Sequence, residues 1–323
     1  MSLGEFDIIA KYFARRQARS DVVLGIGDDA AVLNVRADRK LVLAMDTIAE
    51  GVHFLEQAAP EDIGYRALAV NLSDLAAMGA EPSWMSLSLS LPHADERWLD
   101  GFAKGLFELA EAYDVVLIGG DTVRGPLTVT VQVGGWVEHD RYLTRSGARA
   151  GDDIFISGVP GEAAAGLALL RAGAKQADAA VHLIQRFLRP TPRVQVGRGL
   201  RTVATAAMDV SDGLLADLGK LCEASGCGAR LELEALPASP PMRTLFRGEE
   251  CLQHALTGGD DYELLFTVAP TNVAALRDRA FAPIPLTRIG SMTSEPGVHC
   301  FLGGKEYVPA RTGYDHFAQT DHR

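Results

Sequence analysis

Apolar residues recur along this chain with two spacings, one near 3.6 and one of 2. In residues 5–19, Phe6, Ile9, Ala10 and Phe13 fall on one side at helical spacing. Residues 22–25 and 41–45 are short apolar runs closed by acids and read as strands. Pro60 opens a long helix whose buried stripe is Leu68, Leu72, Leu75 and Met78, with Asn71 and Asp74 sharing a different face. Residues 84–91 alternate strictly, with Met85, Leu87, Leu89 and Leu91 on one side and Ser86, Ser88 and Ser90 on the other. A helix over 95–113 leads to strands at 115–118 and 127–137. After a turn-rich stretch near 145–153, a strand at 154–156 and an Ala/Leu-rich helix over 161–170 begin a second unit. Two helices flank Pro190-Thr191-Pro192, and another starts at Gly213. Strands are expected at 230–234, 262–268, 286–289 and 298–302. Strands and helices mix throughout, so the class is α/β or α+β, with mixed sheets, flanking helices and two domains.

The apolar runs share one feature: each delivers an aspartate. Residues 22–27 end in Asp28-Asp29, residues 41–45 in Asp46, and residues 115–120 in Asp121. Residues 206–208 lead to Asp209-Val210-Ser211-Asp212. Carboxylates gathered without partners repel one another and call for cations. Hard divalent ions with oxygen ligands answer that need, and magnesium carrying phosphates is the commonest case.

Composition narrows the classes. The chain has 323 residues, 47% of them hydrophobic, and no apolar run approaches the roughly 20 residues a spanning helix needs. The first five residues show no basic segment followed by an apolar one, so a cytoplasmic protein is expected. With 31 Lys and Arg against 42 Asp and Glu, the formal charge is -11, which argues against a nucleic-acid-binding face. Cys222, Cys227, Cys251 and Cys300 form no C-x-x-C pair and read as reduced and structural.

Each motif also has a plain reading. Gly25-Ile26-Gly27-Asp28-Asp29-Ala30 nominally fits G-x-G-x-x-A, with Asp46 about 20 residues on. Two carboxylates there would repel a pyrophosphate, and residues 31–35 read as strand rather than helix. A Gly-Asp hairpin turn is the plain alternative, and metal ligation the third. Asp46 alone could cap the segment after it, His53 could be a packed histidine, and Asp74 could face solvent. In Gly119-Gly120-Asp121-Thr122-Val123-Arg124, paired glycines allow close backbone approach to a phosphate. Ser211 or Asp212 could cap the helix beginning at Gly213. Gly258-Gly259-Asp260-Asp261 is harder to justify by turn chemistry alone. No P-loop or protein-kinase signature set is present.

The ordered set resembles the thiamine-monophosphate kinase family, within the aminoimidazole-ribonucleotide-synthetase-like superfamily. The matching segments include Gly4-Glu5-Phe6, Gly25–Ala30, Asp46-Thr47, Gly51-Val52-His53-Phe54, Ala69–Ala80, Gly119–Thr122, Leu143–Gly147, Asp209–Leu214, Gly258–Leu264 and Gly313-Tyr314-Asp315-His316-Phe317. The resemblance implies an N-terminal ATP- and magnesium-binding, dimer-forming domain over 1–146. It implies a C-terminal α/β domain over 147–323 that completes the nucleotide and substrate site. The implied reaction is direct transfer of the ATP γ-phosphoryl to thiamine monophosphate, giving thiamine diphosphate, with several magnesium ions and in a homodimer. Asp29, Asp46, Asp74, Asp121, Asp209 and Asp212 match the family's magnesium-binding positions; of these, Asp46, Asp74 and Asp121 are expected to bridge metals to the transferred phosphoryl. Gly120, Asp121, Arg145 and Ser211 match nucleotide-binding positions, and His53, Asp260 and Tyr314 substrate-binding ones. Asp28 is a further candidate ligand. The chain departs from the family at Ala44 and Met45, where hydroxyl residues usually stand.

The chemistry is coherent, because two anionic phosphates meet inside a set of carboxylates only if divalent ions offset the charge. The acceptor is already an oxyanion, so no strong general base is required. Two rivals stand beside this reading. One is another ATP-dependent member of the superfamily, such as an aminoimidazole ribonucleotide or selenophosphate synthetase, the latter disfavoured by the lack of an N-terminal cysteine. The other is a non-enzymatic divalent-cation-binding protein, which would need neither paired glycines nor Arg145.

Overall fold

The computed structural model describes residues 4–15, 19–174, 178–277, 281 and 283–314. The chain divides into two compact units between Tyr142 and Leu143.

In the first unit, helix α1 (Glu5–Ile8) continues as a π-type turn over Ile9–Phe13. The wider winding, with the Ala14 N–H donating to the Ile9 carbonyl, rotates a different set of residues inward. Ile8, Tyr12 and Phe13 are buried, whereas Phe6, expected on the apolar stripe, is 82% exposed. Strands β1 (Val22–Leu24) and β2 (Val32–Leu33) form an antiparallel hairpin across the Gly-rich turn. No helix follows Gly27, so the dinucleotide alternative lacks the helix N-terminus on which it depends. The hairpin is anchored by buried Asp21. Its carboxylate accepts bonds from Arg19 Nε (2.9 Å), Ser83 Oγ (2.6 Å) and Trp136 Nε1 (3.0 Å). Burial alone would raise this carboxyl; the three donors outweigh it and hold it well below the usual range.

Strand β3 (Arg39–Ala49), helix α2 (Pro60–Ala77), β4 (Glu81–Leu91), α3 (Glu96–Ala112), β5 (Val116–Arg124) and β6 (Thr128–Glu138) complete this unit. The sheet order is β3-β6-β4-β5, antiparallel except for the β4–β5 pair. Helix α2 starts at Pro60, with Glu61 and Asp62 suiting the positive end of its dipole. It lies between the sheet and α3, so even Asn71 and Ser73 are buried. The Asp95 side chain caps α3 by accepting from Arg97 and Trp98 N–H. The other face of the sheet carries exposed Leu41, Leu43, Met45 and Val123.

This sheet revises the picture of strand-ending acids. β3 runs through Asp46 to Ala49, and β5 runs through Gly119-Gly120-Asp121 to Arg124. Both acids sit inside edge strands. Asp209, by contrast, is the last residue of its strand.

The second unit contains β7 (Asp153–Ser157), α4 (Glu162–Arg171), α5 (Asp178–Leu188), α6 (Val194–Leu200), β8 (Ala204–Asp209), α7 (Leu214–Ser225) and β9 (Gly228–Glu232). It continues with α8 (Pro240–Leu245), α9 (Glu249–Thr257), β10 (Leu264–Val268), α10 (Val273–Arg277), β11 (Leu286–Thr293), β12 (Val298–Leu302) and β13 (Lys305–Tyr307). These strands form one sheet in the order β13-β12-β9-β11-β7-β10-β8, with only β9–β12 parallel. Its core joins Ile154, Ile156, Leu218, Leu221, Leu231 and Leu265. The fold is therefore mixed α/β in two units.

The segment expected as strand from residue 262 starts only at Leu264, because Asp260 and Tyr262 take left-handed φ values of 69° and 52°. Two buried acids hold this turn. Asp261 accepts from the Gly161 N–H (2.5 Å) and the Ala163 N–H (3.2 Å) at the start of α4, and burial pushes its carboxyl well up. Glu263 accepts from Arg186 Nη2 (2.7 Å), Ser157 Oγ (2.5 Å) and both Nε (2.6 Å) and Nη2 of Arg193. The acidic run that turn chemistry left unexplained is thus largely structural, with Asp261 capping a helix and half-buried Asp260 accepting from the Tyr262 hydroxyl at 3.3 Å.

Candidate active site

The first unit holds a cavity of about 670 Å³ along the open edge of β5. Asp28, Asp29, Gly120 and Asp121 line one part of it, and Phe6, Ile9 and Phe13 another. Gly120 has φ 152°, and a Cβ there would lie 1.8 Å from the Leu87 carbonyl oxygen, so only glycine fits this strand position. Neither lysine nor arginine lines the cavity among the described residues, whereas four acids do: Glu5, Asp28, Asp29 and Asp121. An anionic ligand therefore needs cations to enter.

Asp46 belongs to a different part of the same sheet. Its N–H points out of the β3 edge and donates to Asn71 Oδ1 at 2.8 Å. Asn71 is fully buried in α2 and donates its own amide to the Ala67 carbonyl at 2.9 Å. Asp74 stands one helical turn beyond Asn71, so the i,i+3 pair seen in the sequence brings Asp74 toward the Asp46 strand. The register Asp46–Val131–Leu87–Gly120 crosses the whole sheet. Three interstrand spacings make that about 14 Å. Pleat alternation puts Asp46 on the face of α2 and Asp121 on the opposite face. Oxygen ligands of magnesium lie ~2.1 Å away, so one ion within a single chain cannot bridge Asp46 and Asp121. The expected trio therefore separates into Asp46 with Asp74, and Asp121 with Asp28 and Asp29. His53 follows β3 in a tight turn, where its Nδ1 accepts from the Ala49 N–H at 3.2 Å. Nε2 then carries the proton of the neutral ring. Met45 is 62% exposed on the α2-free face, turned away from the Asp46 carboxylate, while Ala44 shares the Asp46 face.

In the second unit, three segments meet at the end of β8. The Asp260 N–H donates to the Ser211 carbonyl (2.8 Å), and the Tyr262 N–H to that of Val210 (2.9 Å). The Tyr314 N–H donates to the Asp212 carbonyl (2.9 Å). At Gly313, φ is 152° and a Cβ would lie 2.7 Å from the same oxygen, which explains a glycine before Tyr314. Asp209, Ser211, Asp212, Asp260 and Tyr314 are thereby brought together. Asp315, His316 and Phe317 lie outside the described residues. Arg145 is exposed in the segment that runs beside β8, tied there by the Ala207 N–H to Thr144 carbonyl bond (2.9 Å).

Sequence reasoning missed two residues in this cluster. Asp217, fully buried in the first turn of α7, accepts the N–H groups of Ser211 and Asp212, each at 2.9 Å. Lys220 binds Asp212 Oδ2 at 2.5 Å and Asp217 Oδ1 at 2.8 Å. Their spacing of three on a helix was the available signal. Among the described residues, no three acidic, histidine or cysteine side chains converge as a ready metal cage. The donor chemistry still fits magnesium, which prefers oxygen and keeps water and substrate phosphates in its shell rather than an all-protein cage.

Residues 27–137 match the family model described as AIR synthase related protein, N-terminal domain, and residues 149–303 the corresponding C-terminal domain. The thiamine-monophosphate kinase of Escherichia coli K12 is 50% identical over 324 residues, covering 98% of this chain and 99% of that protein. The chain belongs to the thiamine-monophosphate kinase family. The crystal structure of the family member from Stenotrophomonas maltophilia K279a superposes with a TM-score of 0.87 at 47% identity, covering 95% of this chain and 99% of that one. A structure described as AaThiL complexed with AMPPCP and TMP superposes with a TM-score of 0.78 at 36% identity, covering 90% and 92%. Thiamine-monophosphate kinases thus share both units of this fold over nearly their whole length.

Proposed function

We propose that this chain phosphorylates thiamine monophosphate with ATP, giving thiamine diphosphate and ADP. The observation that carries the reading is the relative solved with AMPPCP and TMP, whose fold this chain reproduces in both units. The acid-lined cavity with its glycine edge supports it independently.

In this reading, Asp28, Asp29 and Asp121 would hold magnesium beside the Gly119-Gly120 edge, where it would neutralise the nucleotide phosphates. Asp46 and Asp74 form a second oxygen set, and Asp209 and Asp212 a third. Bound magnesium supplies charge neutralisation and alignment of the phosphates. Gly120 lets backbone approach the phosphate, while Arg145 and Ser211 contact the nucleotide. His53, Asp260 and Tyr314 receive the thiamine substrate. The bound acceptor needs no base, so the residues orient and neutralise rather than move protons, and orientation alone can contribute roughly 7–11 kcal/mol. The chain works in the cytoplasm as a homodimer, joined through the exposed apolar face of Leu41, Leu43 and Met45.

ADP formation should depend on thiamine monophosphate and fall to background with thiamine, which lacks the acceptor phosphate. Coupled ADP detection with each acceptor in turn measures this. Equal ADP release with neither acceptor present would mark the chain as a simple ATPase.

A further inference from the structure

Lys220 lies outside every motif, yet it meets a proposed metal ligand directly. Its ammonium joins two carboxylates of unlike standing. Asp217 is fully buried, its other oxygen already engaged by the Ser211 and Asp212 N–H groups. Asp212 is about one-third exposed, at 33%, with its bonded oxygen 2.5 Å from Nζ. The partnership with Asp217 is fixed by burial, because removing a counter-ion from a buried carboxylate is costly. The partnership with Asp212 is near the surface, where an ion pair contributes little and can be exchanged. Among the described residues, two of the three ammonium N–H donors are engaged. Lys220 itself is 41% exposed, so a ligand arriving at Asp212 also reaches the ammonium.

We propose that Lys220 is a place-holding counter-ion. It keeps Asp212 aimed and neutralised before the metal arrives, then yields that carboxylate to the divalent ion while staying bound to Asp217. It is a positioning residue, and this role rests on the reading of Asp212 as a metal ligand. Charge alone has two consequences here. The ammonium competes with a divalent ion for the same oxygen, and it repels that ion at close range. Lys220 therefore weakens binding of the bare metal. Once a metal–nucleotide complex is bound, the freed N–H donors face its phosphate oxygens, so Lys220 strengthens nucleotide binding.

The test uses Mn²⁺ as the probe, titrated into the full-length protein without nucleotide and followed by electron paramagnetic resonance of the free ion. Lys220→Met should bind Mn²⁺ about three- to tenfold more tightly at one site than the wild type. Its affinity for ADP with Mn²⁺ present should fall. Lys220→Arg, which keeps the charge, should show wild-type Mn²⁺ affinity and guards against misfolding of the first variant. A lysine that merely stabilises the fold would leave Mn²⁺ affinity unchanged or weaken it in Lys220→Met, and that result would overturn the inference. Asp212→Asn separates the two layers. Loss of one Mn²⁺ site there, with no tightening in Lys220→Met, refutes the place-holder alone. An unchanged Asp212→Asn titration refutes the metal-ligand reading beneath it.

Discussion

Asp74→Asn is expected to lower turnover about a hundredfold or more at saturating magnesium, while the melting temperature moves by only a few degrees. Asparagine keeps the shape of the side chain on α2 and removes the charge alone. The neighbouring Asn71 still holds the Asp46 N–H, so the local fold survives. The variant loses one carboxylate of the proposed Asp46–Asp74 oxygen set, and metal stabilisation of a transferring phosphoryl is a matter of several kcal/mol. Steady-state kinetics over a magnesium series, with parallel thermal melts, measures both. Near-normal turnover would remove Asp74 from the metal-binding account.

The opposite signature is expected at Glu263. Its carboxylate is fully buried and serves Arg186, Arg193 and Ser157 together. Glu263→Ala takes the shared carboxylate from Arg193 and Arg186 in a mostly buried site, leaving Arg186 with its Glu162 bond at 3.1 Å, a loss of about 3–5 kcal/mol. For a unit of this size that corresponds to a fall in melting temperature of roughly 6–20 °C. The turn carrying Asp260 would loosen with it, because the Glu263 carbonyl also accepts the Val210 N–H at 2.8 Å. Differential scanning calorimetry should show the loss without any added ligand. A melting temperature within two degrees of wild type would mean that the buried ion cluster adds little to the fold.

These two residues mark what the sequence could and could not convey. The apolar periods placed α2, α3, β4, β6 and the start of the second unit well, because each is long and buries one clear face. The N-terminal helix departs from its apolar period at Phe6, since a π-type turn changes the residues per turn and no periodicity announces it. The acids at Asp46 and Asp121 read as strand ends because polar residues usually close a strand. Here the strands continue, because edge strands with a solvated side tolerate charge. In the Gly258–Glu263 run, sequence alone does not distinguish half-buried Asp260, bonded to the Tyr262 hydroxyl, from Asp261, buried as a helix cap. That difference arises from contacts about a hundred residues away. Lys220 and Asp217 were silent for the same reason: a helical i,i+3 pair usually signals only a solvated face.

Direct transfer of the ATP γ-phosphoryl to the substrate phosphate leaves no phosphorylated protein intermediate. The sharpest measurement follows γ-³²P-labelled ATP through one turnover with excess enzyme, magnesium and thiamine monophosphate. The label should appear in thiamine diphosphate, one for each ADP formed, with none on the protein. Label retained on the chain, or released as inorganic phosphate without thiamine diphosphate, would contradict it.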